Sequence, residues 1–189
     1  LRPDVDEVTR ELGRNDNQIG PQNSWVIDTL VENDVIVVDL FGKIEQGTFA
    51  GDNLATSIYA KSKTGMVVDG AVRDIDGIME IPGFNGFVRG LDPSGIAGVT
   101  LMGINIPIRI GKVTVMPGDV VLGRREGVIF IPPHLAQEVV ERSENTRLRD
   151  EFGHQRLREG IYTPGQIDVR WTPEIQADFE QWKKEREKK

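Results

Sequence analysis

The apolar positions of this chain change their spacing several times, and each change predicts an element. Val35-Ile36-Val37-Val38 is a continuous apolar run that ends at Asp39, as a buried strand does. Gly51 to Lys63 reads as a helix, with Leu54, Ile58 and Lys61 on one face and Ala55 and Tyr59 beside it. Gly65 closes that helix, and Met66-Val67-Val68 is the next strand. Strand, helix, strand predicts a βαβ unit whose two strands are parallel neighbours. A short helix from Ile75 to Ile81 then ends at Pro82-Gly83, and Gly83-Phe84-Asn85-Gly86-Phe87 reads as a turn.

Beyond this point the apolar runs shorten. Ile104 to Ile110, Lys112 to Val115, Asp119 to Leu122 and Val128 to Ile131 read as β runs, punctuated by Gly111, Pro117-Gly118 and Glu126-Gly127. Pro132-Pro133 opens a helix with Leu135, Val139 and Arg142 at helical spacing. Before Trp25 the pattern is weak: Val5, Val8 and Leu12 suggest a short helix that Gly13 stops, and Gly20-Pro21-Gln22-Asn23 reads as a loop. Near the other end Thr172 caps a helix with Pro173 at its first position, and Ile175, Phe179 and Trp182 form its apolar stripe. Such a stripe packs on its own domain or on a neighbouring subunit. The expected organisation is a polar segment over 1–24, an α/β domain over 25–142 and a charged extension over 143–189.

At 189 residues the chain can bury one substantial core. Its formal net charge of -7 argues against a phosphate-backbone partner, so no direct nucleic-acid binding is expected. The absence of cysteine removes disulfides, thiolate metal sites and cysteine nucleophiles, and is compatible with a reducing cytoplasm, the expected location. No apolar run approaches the roughly 20 residues of a membrane helix. The start at Leu1, without an initiator methionine, suggests the remnant of a longer chain.

The candidate chemistry lies where strands give way to helices. Val67-Val68-Asp69-Gly70-Ala71-Val72 leads into Arg73-Asp74, and Gly51-Asp52-Asn53-Leu54 stands at the start of a helix. The arginine fork suits a carboxylate or enolate through two parallel hydrogen bonds. A neighbouring aspartate can ligate magnesium or manganese, which take oxygen ligands and keep several waters. The amides of Asn53, Leu54 and Ala55 would form an anion-binding helix start. The same residues also suit an ordinary surface Arg–Asp pair and ordinary helix caps, and spacing leaves both readings open. His134 and His154 have no partner at ligand spacing and read as structural or solvated.

Asp69-Gly70-Ala71-Val72-Arg73-Asp74, preceded by Gly51-Asp52, is followed by Pro117-Gly118-Asp119-Val120-Val121 and by Gly127-Val128-Ile129-Phe130-Ile131-Pro132. In this order the motifs resemble the superfamily of 4-hydroxy-4-methyl-2-oxoglutarate aldolase and the regulator of ribonuclease activity A, over about residues 25–140. The resemblance implies a swivelling β/α/β sandwich with a central mixed sheet, here with a C-terminal helical extension. It implies trimers or hexamers with active sites between subunits. It further implies a class II lyase dependent on Mg2+ or Mn2+ that cleaves 4-hydroxy-2-oxo acids to pyruvate, often decarboxylating oxaloacetate as well.

By motif position Arg73 would hold the pyruvyl oxygens and stabilise the enolate, and Asp74 would bind the metal. Asp52 would act through metal-bound water, and Gly51, Asn53 and Leu54 would receive the substrate carboxylate. The alternative within the same superfamily is a non-catalytic regulator of ribonuclease activity that works by protein–protein binding. Three features depart from the family pattern. Gly123-Arg124-Arg125-Glu126-Gly127 puts Arg124 where an acid is common, the family's N-terminal helix and first strand are not recognisable, and the C-terminal extension is long.

Overall fold

The structure is a computed structural model and describes residues 3–187. The chain is an α/β protein with a central sheet and C-terminal helices, and it divides into two compact units, Leu1–Pro133 and His134–Lys189. The expected division at 142/143 falls inside one long helix, α5 (Pro133–Arg158).

In the first unit, α1 (Pro3–Asn15) and α2 (Gln22–Asp28) precede β1 (Ile36–Ala50), α3 (Asp52–Ser62), β2 (Gly65–Val72), α4 (Ile75–Met79) and β3 (Asn85–Leu91). The three strands form a parallel sheet in the order β1-β2-β3. The parallel β1–β2 pair is the one the strand-helix-strand pattern predicts. β2 is central and buried along its whole length, which explains its near-continuous apolar sequence. Ala55, Ile58 and Ser62 face the core from α3, and Lys63, in a left-handed conformation at φ 60°, ends that helix. Ile36, Phe49, Ile58, Met66, Val68 and Val72 are among the buried residues that close the core.

Several sequence expectations are corrected. β1 does not end at Asp39 but continues to Ala50 through a wide bulge. Asp39 pairs with Asp69, Lys43 with Gly70 and Thr48 with Ala71, so several residues of β1 are spent on each step of β2. Positive φ values at Phe41, Gly42 and Gln46 make that excursion.

Gly13 does not stop α1; it lies inside it, where an added Cβ would stand 2.3 Å from the Trp25 ring. The stretch read as a turn at 83–87 turns only at Gly83 (φ 84°) and becomes β3 from Asn85. The loop expected at 20–23 is shortened because α2 starts at Gln22.

The rest of this unit consists of two antiparallel hairpins. β4 (Ile108–Ile110) pairs with β5 (Val113–Val115), and β6 (Val120–Arg124) pairs with β7 (Gly127–Ile131). The expected strand from Ile104 shrinks to three residues, because Asn105 takes a positive φ of 55° and Pro107 lacks an N–H for a ladder. Asp69 is the buried carboxylate of the sheet. It pairs with Arg89 of β3 and accepts the Gly111 amide of the β4–β5 turn at 3.1 Å.

In the second unit, α5 is followed by α6 (Pro164–Ile167) and α7 (Pro173–Glu187). The predicted stripe of Ile175, Phe179 and Trp182 packs on Phe152 of α5, with Trp171 and Tyr162 beside it. Arg156 makes two hydrogen bonds to Asp178, at 2.9 and 2.6 Å, and Tyr162 donates to the same carboxylate at 3.0 Å.

Candidate active site

The three parallel strands end flush: Ala50 pairs with Val72, and Val72 with Leu91. The loops that leave the carboxyl ends of such strands are where ligand crevices form in α/β sheets. The Gly51-Asp52 junction leaves β1 into α3, and the Arg73-Asp74 junction leaves β2 into α4, so the sheet brings both predicted clusters to one edge. The Arg73 N–H donates to the Ala50 carbonyl at 3.1 Å and extends the ladder one step past the strands.

Arg73 Nε donates to Asp74 Oδ2 at 3.2 Å, and both side chains are about half exposed, at 44% and 45%. Asp74 adopts φ 53° and ψ 43°, a left-handed conformation that glycine would adopt without strain. Aspartate tolerates this region at a cost of roughly 1 kcal/mol. Gly51 explains how the cluster fits together. A Cβ there would stand 2.3 Å from Asp74 Oδ2 and 3.2 Å from Arg73 Nε, so the missing side chain is what admits the pair. Asp52 is packed in a similar way: a Cβ on Gly77 of α4 would meet its Oδ2 at 3.0 Å.

The helix amides are only partly free for a ligand. The Asn53 N–H donates to Asp52 Oδ1 at 2.7 Å, and the Ala55 N–H donates to the Gly51 carbonyl at 3.0 Å as the first helical bond. Gly51, Asp52, Asn53, Leu54, Arg73 and Asp74 therefore share one edge of the sheet, with two of the expected anion donors already engaged. Arg124 is the last residue of β6 and pairs with Gly127 across the β6–β7 turn.

Two cavities lie elsewhere in this unit. One of about 640 Å3 is lined by Val26, Ile36 and Val120, among others, and one of about 830 Å3 by Asn23, Phe49 and Met102. Neither includes Arg73, Asp74 or Asp52; the Arg73 and Asp74 side chains stand half exposed at the sheet edge.

Among the described residues no group of three or more His, Cys, Asp and Glu side chains is gathered for a metal ion. The donor set nonetheless fits a hard divalent cation. Such an ion needs one or two carboxylates and completes its shell with water and substrate oxygens. Asp74, half exposed beside a loop that carries a second carboxylate, supplies donors of that kind.

The parallel sheet delivers an arginine, two aspartates and a helix start to one edge of an α/β domain. The chain belongs to the RraA-like (aldolase/RraA) family, whose profile matches residues 12–130, further toward the N-terminus than the motif-bearing stretch. It is 29% identical over 164 residues to a protein of Halalkalibacterium halodurans provisionally named 4-hydroxy-4-methyl-2-oxoglutarate aldolase, covering 80% of this chain and 77% of that one. It is 30% identical over 98 residues to the 4-hydroxy-4-methyl-2-oxoglutarate aldolase of Thermus thermophilus, covering 52% of this chain and 58% of that protein's length. Among solved structures, Streptomyces coelicolor RraAS2, described as an unusual member of the RNase ES inhibitor RraA family, is similar with a TM-score of 0.64 and 29% identity. That match covers 70% of this chain and 67% of the other. Among the described residues no helix is long and apolar enough to cross a membrane.

Proposed function

We propose that this chain is a divalent-metal-dependent carbon–carbon lyase that cleaves a 4-hydroxy-2-oxo acid to pyruvate, decarboxylates oxaloacetate, or does both. The observation that carries this reading is the Arg73–Asp74 pair lodged against Gly51, with Asp74 held in a left-handed conformation where glycine would be unstrained. A strained conformation kept at a charged strand end supports a functional reading.

Arg73 receives the carboxylate and 2-oxo oxygens of the substrate through its guanidinium fork. Asp74 directly, and Asp52 through water, would hold Mg2+ or Mn2+. That ion, when bound, polarises the 2-oxo group and offsets developing negative charge. Breaking the C3–C4 bond leaves its electron pair on the pyruvyl fragment as an enolate, and the Arg73 charge beside it lowers the barrier. In the retro-aldol reaction the C4 hydroxyl proton leaves toward Asp52 through an intervening water. With oxaloacetate the same cleavage releases carbon dioxide. In both cases the enolate takes a proton at C3 and becomes pyruvate. Gly51, Asn53 and Leu54 border the substrate carboxylate.

The open edge suits a homo-oligomer, a trimer or a hexamer, in which a neighbouring subunit covers the site. The expected setting is the cytoplasm, with no membrane and no direct nucleic-acid contact.

Purified protein is expected to release pyruvate from oxaloacetate or a 4-hydroxy-2-oxo acid with Mg2+ or Mn2+, and to stop in EDTA. Arg73→Ala should lower the rate by about 100-fold or more. It should barely change the melting temperature, because an exposed pair contributes only about 0–1 kcal/mol. No pyruvate from any tested oxo acid with metal present would sink the reading.

The second reading is a regulator of ribonuclease activity acting through protein contacts. It is favoured by the inhibitor family of the Streptomyces relative. Inhibition of RNA decay that survives Asp74→Ala, in a protein without lyase activity, would decide for it.

A further inference from the structure

The row at the sheet edge has a third member. The Asp92 N–H donates to the Val72 carbonyl at 3.1 Å, just as the Arg73 N–H donates to the Ala50 carbonyl at 3.1 Å. In a parallel ladder, an N–H that reaches the carbonyl before a residue stands beside that residue. The row therefore reads Gly51, Arg73, Asp92, and Asp92 has no part in the chemistry so far assigned.

Asp92 is gripped from several directions. Thr48 of β1, itself 3% exposed, donates its hydroxyl to the Asp92 carbonyl at 2.8 Å. Pro93 follows and fixes its own φ. The Ser94 hydroxyl and the Ser94 N–H, the latter at 3.0 Å, both donate to Asp92 Oδ1. The main chain of Gln46 and the charge of Lys43 also bear on this carboxylate. The Ser94 hydroxyl, with these partners, holds it below the usual carboxylate range, so it is ionised at neutral pH.

Further along, the Ala97 N–H donates to the Gln46 carbonyl at 2.9 Å. Because the strand order is β1-β2-β3, residues 92–97 run from the end of β3 back across β2 to the bulge of β1. They form a strap over the strand that carries Arg73. The Arg73 side chain is half exposed, with Asp74 as its ion-pair partner, so the direction of its guanidinium depends on how firmly its backbone is held.

We propose that Asp92 is a positioning residue for Arg73: its carboxylate, held by the Ser94 hydroxyl and N–H, sets the path of the 92–97 strap, whose main chain in turn bonds Thr48, the Gln46 carbonyl and the Val72 carbonyl and so fixes the backbone from which the arginine projects. The inference rests on the lyase reading for its catalytic consequence. An ordinary Asx turn would stand by itself; here the turn that the Asp92 carboxylate closes on Ser94 lies in a segment whose main chain bonds β1 at Thr48 and Gln46 and the exit of β2 at Val72.

The test compares wild type, Asp92→Ala, Asp92→Asn and Thr48→Val in steady-state pyruvate release from oxaloacetate with Mg2+, together with amide hydrogen exchange. Asp92→Ala should lower kcat about tenfold or more, since misplacing a substrate-positioning group by about 1 Å is enough for such losses. KM should change less. Asp92→Asn keeps an acceptor for Ser94 and should recover most of the rate, to within about threefold of wild type. Thr48→Val, which removes only the bond to the Asp92 carbonyl, should show a smaller loss of the same kind, and its behaviour decides the matter if Asp92→Ala does not fold.

In the folded variants the Arg73 amide should exchange faster while those of Val67 and Val68 do not. Folded Asp92→Ala with wild-type kcat, KM and Arg73 exchange overturns the proposal. So does a loss that Asp92→Asn does not repair and that is accompanied by faster exchange throughout the sheet, which marks a merely structural role. If wild type releases no pyruvate, the lyase reading falls on its own, and unchanged Arg73 exchange in Asp92→Ala would still separately refute the positioning claim.

Discussion

Arg73 and Arg156 show two ways in which this chain treats a cation. In the helical unit, Arg156 directs Nε and Nη2 to Asp178 and Nη1 to Glu159, and its side chain is only 15% exposed. Those hydrogen bonds raise its pKa above the ordinary arginine value and hold the Asp178 carboxyl below its own. At the sheet edge, Arg73 makes one ion pair of 3.2 Å and is 44% exposed. An arginine carries five N–H donors. One that has committed all three of its nitrogens to acids in its own unit serves architecture, and one that keeps donors in reserve leaves them to solvent or, on the lyase reading, to the substrate. Two arginines of identical sequence chemistry are told apart by how much of their hydrogen-bonding capacity the fold consumes.

The largest effect is expected in the helical unit, where the architectural arginine sits beside an aromatic core. Phe152 is fully buried and touches the rings of Tyr162, Trp171, Phe179 and Trp182. Phe152→Ala should cost about 3–5 kcal/mol in that unit. Chemical denaturation followed by tryptophan fluorescence would read it. A loss under about 1 kcal/mol would mean that the aromatic cluster is not the core that makes Arg156 architectural.

Gly51→Ala has the opposite signature. Gly51 has φ -109° and ψ -166°, a backbone that alanine accepts, so stability should fall by no more than about 1 kcal/mol. The new Cβ would nevertheless occupy the place of Asp74 Oδ2, and metal-dependent pyruvate release should drop about tenfold. An unchanged rate would show that the position of Asp74 does not matter.

Much of the sheet was legible in the sequence because its signals agree. The apolar run to Val38, the helix between Gly51 and Lys63 and the run from Met66 are local patterns, and local patterns predicted β1, α3, β2 and their parallel pairing. The bulge of β1 was not legible, because the positive φ at Phe41 and Gln46 falls on residue types that do not favour it. β3 was hidden by Gly86 and Gly90, which weaken a strand signal, although Phe87 and Val88 were there to be counted. Gly13 looked like a helix stop, and only the Trp25 ring packed against it explains why glycine is there.

At the site, Asp52, Arg73 and Asp74 could be picked out by their position after strands. Asp92 could not, since Asp-Pro-Ser-Gly reads as an ordinary turn until the register puts it beside Arg73.

A smaller effect is common to the two regions and is driven by acid. Burial pushes the Asp69 carboxyl up, but the Arg89 hydrogen bond and the Gly111 amide outweigh it, so its pKa lies below the ordinary 3.8. Asp178 is also held below 3.8, chiefly by Arg156. A carboxylate with a lowered folded pKa binds its proton less readily when folded than when unfolded. The stability it contributes is complete above the ordinary value and is lost as pH falls through the folded one. Both regions should therefore hold constant stability from neutrality down to roughly pH 5 and weaken below pH 4.

Asp69→Asn keeps an acceptor for Gly111 but loses the charge pair with Arg89, which is itself 46% exposed and screened by water. It should cost about 1 kcal/mol at neutral pH and flatten the acid slope of the sheet unit, leaving the slope of the helical unit to Asp178. Hydrogen exchange separates the two: the Gly111 amide reports the sheet side, and amides around Phe152 report the helical side. If Asp69→Asn leaves the acid dependence of Gly111 exchange unchanged, Asp69 is not the titrating anchor of the β4–β5 hairpin.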